Sequence, residues 1–331
     1  MAGKTLPGVY GASSPRMNVA DLRTKGWEAS VTWGDSFTLA SKPFNYRIMA
    51  GIGDNTSKVT KYDNPNRTLT DPYEGQQLGE IWGYVVDGYF KTDEEARNYK
   101  VDQSFVNQMI NASALDNGLH AGDLKFVDLD GNNKIEQTTS ANDRKDMKVI
   151  GNSLPRYNYN FGISADWYGI DFSVLFQGIG KQNWYPGAET SMFWGPYSRP
   201  YASFIPSDFM SQVWSEENTD AYFPRPRGYV ALGSNRELAV VNTKYLQNLA
   251  YCRLKNLSIG YTLPDKWLSK IGFEKIRVYF SGENLLTFTK LHSDYIDPEQ
   301  ASASNSWKTS KSDANIYPWA KTYSFGVDIT F

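Results

Sequence analysis

The stretch KTYSFGVDITF, residues 321–331, alternates bulky apolar and small or polar side chains as far as its last residue. One row holds Tyr323, Phe325, Val327, Ile329 and Phe331, and the other holds Thr322, Ser324, Gly326, Asp328 and Thr330. A period of two is typical of a β-strand with one apolar and one polar face. Its apolar row reaches Phe331, which is typical of the closing strand of a membrane barrel. An ordinary edge strand is the alternative.

Six further segments repeat this alternation, namely residues 26–33, 44–53, 157–167, 170–178, 256–263 and 276–284. Their polar rows are rich in Gly, Ser, Asn and Thr. A tilted strand needs about 9–11 residues to cross a bilayer, and the longer of these segments reach that length. Strands of a soluble sandwich alternate in the same way, so the period alone does not separate the two classes.

The predicted connections alternate between short and long. Trp167-Tyr168-Gly169 reads as a tight turn, and residues 34–43 and 264–274 are short, whereas 58–156, 180–250 and 289–319 are long. Long loops are uncommon in compact soluble domains. Short turns at one end and long extracellular loops at the other are typical of outer-membrane barrels. The sequence therefore predicts an all-β fold with about seven antiparallel transmembrane strands.

Composition excludes several other classes. The formal net charge is -2, so no basic field indicates a nucleic-acid partner. One cysteine rules out an internal disulfide framework, and two histidines rule out a histidine-rich metal site. The sequence has no run of 18 apolar residues, so it predicts no membrane-spanning helix. No catalytic motif has the required spacing, because His292, Ser293 and Asp294 are adjacent and do not form a triad. We therefore expect no enzymatic activity.

Several segments resemble one known family. RLKNLSIGYTLP (253–264) followed by RVYFSGENLLTFTK (277–290) is the most specific pair, and residues 18–33, 75–90, 122–137, 149–185 and 317–331 agree in the same order. Together these segments resemble the C-terminal part of SusC-like TonB-dependent transporters of the Bacteroidetes outer membrane. The resemblance covers nearly the whole of residues 1–331.

The resemblance implies a barrel of 22 strands in the outer membrane of a Gram-negative bacterium, embedded in its lipid. The family's barrel encloses an N-terminal plug, on which TonB acts, and a SusD-like lipoprotein delivers a glycan or peptide. The expected function is nutrient import without a required cofactor. We expect the plug and the signal peptide to lie N-terminal to Met1, outside this chain. The alternatives are a secreted all-β carbohydrate-binding protein and, less consistent with the ordered segments, a porin-like barrel.

The stretch DLDGNNKIE, residues 128–136, resembles the first half of a calcium loop, in which alternate oxygens surround a hard cation. The candidate ligands are Asp128, Asp130, Asn132, the Lys134 carbonyl, and Glu136 or Asp143. Thr139 stands where a calcium loop has its acidic twelfth residue. A turn in which Asp and Asn side chains bond the local backbone is the alternative.

Two further groups of residues are candidates for contact with substrate or partner. The predicted loops carry the aromatic residues Trp184, Tyr185, Trp194, Tyr197, Trp214 and Trp307, which suit a sugar or a SusD-like partner. Packing of the loops against one another is the favoured alternative. The polar rows place Asp171, Arg277, Glu283 and Asp328 on the face expected to line the lumen.

One strand breaks the alternation. In YCRLKNLSIGY, residues 251–261, the apolar row changes parity between Leu254 and Leu257. A β-bulge produces such a change, and so does a strand that rises above the bilayer. Both alternatives remain open at the level of sequence.

Overall fold

The computed structural model describes residues 2–3, 11, 16–107, 118–198, 205–226, 229–233, 236–268, 272–301, 311–312 and 317–331. Seven long strands form one antiparallel sheet in which each strand pairs with the next along the chain. They are β1 (Ala20–Leu39), β2 (Lys42–Tyr62), β3 (Arg156–Trp167), β4 (Ile170–Lys181), β5 (Tyr251–Thr262), β6 (Lys275–Thr289) and β7 (Thr322–Thr330). The predicted all-β fold with about seven antiparallel strands is confirmed, and the 22-stranded barrel remains a prediction.

Short elements lie before the first of these strands and in the connections between them. The short strands are Ala2–Gly3, Arg16–Met17, Glu80–Tyr84, Val86–Tyr89, Leu124–Phe126, Met147–Asn152, Asn183–Pro186, Gln247–Asn248 and Lys311–Ser312. The helices are α1 (Asp93–Arg97), α2 (Ser191–Trp194) and α3 (Asp265–Leu268), with 3-10 turns at Gly195–Tyr197, Phe209–Gln212 and Tyr229–Leu232. No helix among the described residues has the length and apolarity needed to cross a membrane.

Tight turns join β1 to β2 and β3 to β4. Ala40 (φ 48°) and Ser41 (φ 65°) form the first turn, and Tyr168 (φ 50°) and Gly169 (φ 85°) form the second. Two consecutive residues with positive φ give the hairpin turn whose twist matches that of the flanking strands. Gly169 is also confined by packing, because a Cβ there would lie 2.7 Å from the Thr262 carbonyl oxygen.

β1 and β2 extend beyond their predicted segments. They contain 20 and 21 residues, and their pairing continues through Gly26↔Asn55 to Ala20↔Tyr62. At this end the apolar row stops at Trp27 and Ile52, so the sequence pattern stops there. At the other end both strands run into residues 34–43, predicted as a connection, and only Ala40 and Ser41 lie outside them. Backbone hydrogen bonds need no apolar side chains, and they carry the hairpin further.

The strand register places polar side chains on one face of the sheet and apolar side chains on the other. On the polar face, five serines from β3 to β7 stand opposite one another in a continuous row, namely Ser164, Ser173, Ser258, Ser281 and Ser324. The other face, called the apolar face below, carries large side chains that are largely uncovered. Val31 is 62% exposed and Phe325 is 84% exposed.

A β-bulge explains the parity change in β5. Leu175 of β4 faces Asn256 and Phe176 faces Leu254, so Lys255 has no partner on β4. Towards β6 the register also changes here, but Leu254 faces Leu286 and Asn256 faces Glu283, so Asn284 and Leu285 of β6 lack ladder partners as well as Lys255. The extra residue keeps both Leu254 and Leu257 in the apolar row. Of the two alternatives left by the sequence, the bulge is confirmed.

The three long connections share an aromatic core of their own. This core includes Tyr84 and Phe126 from the first connection, Trp194 and Tyr245 from the second, and Ile296 from the third. Trp194 and Tyr245 are each 0% exposed, with ring centroids 5.2 Å apart. The connections therefore pack as one body at the end of the sheet opposite the tight turns.

Candidate functional site

Three of the four predicted lumen-facing residues form one ion cluster on the polar face. Arg277 bonds the Asp171 carboxylate through Nε at 2.8 Å and Nη2 at 2.6 Å. Its Nη1 lies 3.2 Å from Asp328 Oδ2. Paired hydrogen bonds between guanidinium and carboxylate are the stronger kind of ion pair. The cluster joins β4, β6 and β7 across β5.

Gly260 of β5 makes room for this cluster. A Cβ on Gly260 would lie 2.5 Å from Asp171 Oδ1 and 2.6 Å from Arg277 Nε. The bare backbone therefore lets the guanidinium reach over one strand to a carboxylate two strands away. Glu283, the fourth predicted residue, lies on the same face opposite Asn256 and Thr322, outside the cluster. The role of these four residues in a lumen remains a prediction.

A second ion network ties the third connection to the sheet. Arg253 of β5 is 3% exposed and donates to Asp297 Oδ1 at 2.7 Å, to Glu299 Oε2 at 2.7 Å and to Thr287 Oγ1 at 2.9 Å. Lys255 donates to both oxygens of Glu299, at 2.8 and 2.9 Å. Sequence reasoning missed this network.

Asp297 also holds the returning end of the third connection. Its Oδ2 accepts a hydrogen bond from the Trp319 backbone at 3.1 Å, and Lys255 Nζ lies 5.5 Å from the Trp319 ring centroid. One buried carboxylate therefore joins the outgoing segment, the returning segment and the sheet. The basic residues Arg253 and Lys255 were a partial signal of this network in the sequence. No feature of the sequence identified their acidic partners.

The predicted calcium loop brings together a different set of carboxylates. Asp128, Asp130 and Asp146 each offer an oxygen within 4.8 Å of the others. Six to eight oxygens at 2.3–2.6 Å surround calcium in proteins, so three converging carboxylates fit part of such a shell. Asp146 was not predicted, because it lies well outside the spacing of a calcium loop and reaches the site only through folding.

Glu136 and Asp143 do not join this group. Glu136 instead faces Lys145, whose Nζ lies 3.3 Å from its Oε2, and Asp143 is exposed on the neighbouring turn. Asn132 Oδ1 accepts a hydrogen bond from the Lys134 backbone N–H at 2.8 Å. The carboxylate that converges with those of Asp128 and Asp130 is therefore that of Asp146 and not that of Glu136 or Asp143, and calcium binding itself remains a prediction.

Local hydrogen bonds shape the same loop. The Asp128 carboxylate accepts backbone N–H bonds from Gly131 and Asn133, each at 2.7 Å. Burial raises the pKa of Asp146, and the charges of Asp130 and Asp128 raise it further. The two backbone hydrogen bonds to Asp128 are those of a turn in which side chains bond the local backbone, so that alternative describes part of this loop. Each carboxylate oxygen has a second lone pair, so these bonds leave capacity for a cation.

Most of the predicted loop aromatics lie inside the core of the connections. Trp184, Tyr185, Trp194 and Tyr197 are at most 1% exposed, and Trp214 is 7% exposed. Their ring faces are therefore covered by neighbouring side chains, as the packing alternative expected. Trp307 lies outside the described residues.

The remaining predicted residue, Phe331, is 83% exposed beside the Phe273 ring. Its role in closing a barrel remains a prediction. The His292-Ser293 pair makes no catalytic contact among the described residues, since Ser293 Oγ donates to the Met192 carbonyl and His292 Nε2 contacts Gln212.

Two curated proteins similar to this chain are both TonB-dependent receptors. TonB-dependent receptor P3 of Formosa agariphila is 26% identical over 99% of this chain, which covers 30% of that protein. TonB-dependent receptor P39 of the same organism is 25% identical over 98% of this chain, which covers 32% of that protein. The resemblance to TonB-dependent transporters is confirmed. The chain spans about a third of the length of these curated relatives, and no family model matches it.

Solved structures agree on the fold. The RagAB peptide importer in the open-open state superposes with a TM-score of 0.67 and 19% identity, over 100% of this chain and 31% of that chain. The RagAB peptide transporter gives a TM-score of 0.64 and 18% identity, over 99% of this chain and 31% of that chain. At these identities the comparison establishes the fold alone.

Replacing Arg253 by Met is predicted to release the third connection. The change removes the only cation that contacts the nearly buried Asp297 among the described residues, and breaking a buried ion pair costs about 3–5 kcal/mol. We expect faster proteolysis within residues 291–301 and a lower unfolding midpoint. Lys134→Met is the control, because Lys134 is 53% exposed and lies 3.9 Å from Glu136. Equal protease resistance of the Arg253 variant and the wild type would contradict the proposed anchoring.

Calcium is predicted to stabilise the first connection through Asp146. At a calcium concentration 100-fold above its dissociation constant, binding adds about 2.7 kcal/mol. We expect calcium to raise the thermal midpoint of the wild type, and chelator to reverse the rise. Asp128→Asn and Asp146→Asn should both abolish the response, whereas Asp143→Asn should retain it. A calcium response that survives in the Asp146 variant would exclude this ligand set.

Proposed function

We propose that this chain forms part of the wall and the loops of a TonB-dependent importer in the outer membrane of a Gram-negative bacterium. The observation that carries the proposal is the two-faced sheet. A row of hydroxyl side chains lies on its polar face, and exposed side chains such as Val31 and Phe325 lie on its apolar face. In a membrane barrel, one face meets lipid and the other meets the lumen.

The position of the connections supports an extracellular role for them. Tight turns lie at one end of the sheet and the packed connections at the other, as in outer-membrane barrels. Residues 58–156, 180–250 and 289–319 would accordingly face outwards. A SusD-like lipoprotein is the partner we propose above these loops, and TonB would act through an N-terminal plug, which the family resemblance implies.

The cargo we propose is an oligomeric nutrient, either a glycan or a peptide. Similarity to the RagAB peptide importer supports a peptide, whereas glycans are the cargo that the SusC-like resemblance first suggests. The ion cluster around Arg277 lies on the polar face and would line the wall of the import path. The relatives are transport receptors, which supports a role other than catalysis.

A matched pair of neighbouring substitutions tests the orientation of the two faces. Phe325 and Ser324 are adjacent on β7 and lie on opposite faces. Arginine at the lipid face of a barrel costs about 2–4 kcal/mol near the middle of the bilayer. We expect Phe325→Arg to reduce the amount of folded protein in outer membranes, measured by heat-modifiable migration in gels. Ser324→Arg should be tolerated. The reverse ranking would contradict the assignment of the faces.

Uptake by cells tests the importer itself. Cells carrying the protein should accumulate a labelled oligosaccharide or oligopeptide, and accumulation should stop when TonB is deleted or the proton gradient is collapsed. A strain that lacks only this protein is the control for other routes of entry. Unchanged accumulation of every such nutrient in that strain would exclude the proposed function.

A further inference from the structure

An open groove lies on the polar face, over the long-connection half of β1, β2 and β3. Its volume is about 610 Å³, within the range of about 300–1,000 Å³ found for ligand sites. Gly51 and Gly53 of β2 line it, together with side chains from β1 and β3, namely Glu28, Ser30, Asn158 and Asn160. Neither the ion cluster nor the carboxylate group of the first connection belongs to this groove.

Two glycines of β2 form the floor of the groove. Gly51 pairs with Ser30 on one side and Asn160 on the other, and Gly53 pairs with Glu28 and Asn158. A Cβ on Gly51 would lie 3.2 Å from Asn160 Nδ2, so the glycine leaves space for the carboxamide. A ligand can therefore approach the backbone closely at Gly53, beside the Asn160 carboxamide that lies over Gly51.

The two asparagines are spaced to match an extended peptide. Asn158 and Asn160 are alternate residues of β3 on one face, so they lie about 6.6 Å apart along the strand. Alternate residues of an extended peptide repeat at the same distance. Each carboxamide offers an N–H donor and a C=O acceptor, the complement of one main-chain unit. Neither carboxamide has a hydrogen-bond partner among the described residues.

The charges of the lining residues further restrict the class of ligand that the groove can bind. Asp54 is held by Arg156 through two hydrogen bonds of 2.5 Å each, which leaves Glu28 as the uncompensated charge of the lining. The groove therefore favours basic over acidic ligands. Trp27 belongs to the apolar row, so the polar lining has no aromatic ring on which a sugar could stack. A peptide fits this lining better than a glycan.

We propose that this groove binds an extended, basic peptide through its main chain, with Asn158 and Asn160 as the bonding residues and Glu28 as the charge selector. The proposal rests on the proposed import function and narrows its cargo to peptides. The glycine floor and the two carboxamides contact the main chain of the peptide and not its side chains, so the site accepts peptides of many sequences. This is a suitable property for a nutrient importer.

Calorimetry on the detergent-solubilised protein tests the groove directly. The probe is the capped peptide acetyl-(Lys-Ala)4-amide, with an analogue N-methylated at alternate residues as the backbone control. We expect Asn158→Leu and Asn160→Leu each to weaken binding about tenfold, since each removes two main-chain hydrogen bonds. Ser258→Ala, on the same face outside the groove, should bind as the wild type does. The N-methylated analogue should bind the wild type about as weakly as the asparagine variants bind the parent peptide.

Glu28→Gln tests the charge selector. The wild type should prefer acetyl-(Lys-Ala)4-amide over acetyl-(Glu-Ala)4-amide, and the variant should lose most of that preference. Peptide affinity that is unchanged in both asparagine variants would overturn the proposal. So would a tenfold loss in these variants that appears for maltoheptaose and not for the peptide.

Uptake separates the failure of this site from the failure of the import function. TonB-dependent peptide uptake that is unaffected by the asparagine substitutions would leave the importer intact and remove the groove from its path. Binding that responds to the substitutions, in a protein without TonB-dependent uptake, would support the groove and exclude the import function.

Discussion

The backbone hydrogen bonds between seven neighbouring strands are the constraint on which the other features depend. Every adjacent pair is antiparallel and follows chain order, so each residue outside the register shifts has a fixed neighbour on the next strand. Because side chains alternate between faces, this register gathers polar groups on one surface and apolar groups on the other. The serine row, the Arg277 ion cluster and the glycine-floored groove all follow from it.

The same register explains why glycines occur at polar-face positions. Gly260 lets Arg277 reach Asp171 across β5, and Gly51 lets the Asn160 carboxamide lie over β2. In both places a small residue on one strand allows contact between side chains of its neighbours. The bulge at Lys255 works with this arrangement, since it preserves the apolar row while Arg253 and Lys255 both contact the third connection.

The connections depend on a second kind of interaction. Exposing so many aromatic side chains to water would be unfavourable, so they pack into a shared core in which Trp194 and Tyr245 are fully buried. Charged groups then tie that core to the sheet, through Arg253 and Asp297. Of the rings that the sequence suggested for substrate contact, those in the described part of the chain are buried in this core. The groove proposed for peptides lies instead on the sheet, where glycine and asparagine leave backbone and amide groups accessible.

The sequence by itself determined the seven strands, their two faces, the tight turn at Tyr168-Gly169 and the parity change in β5. These features are local, because period-two alternation and turn residues act over a few positions. The family resemblance was also readable in the strand segments around Arg253 and Arg277. Only the tertiary structure decided which distant residues meet. Asp146 replaced Glu136 and Asp143 beside Asp128, Asp297 joined Arg253, and Asn158 came to lie opposite Gly53. Strand register and loop packing determine such partners, and neither can be derived from the spacing of residues along the chain.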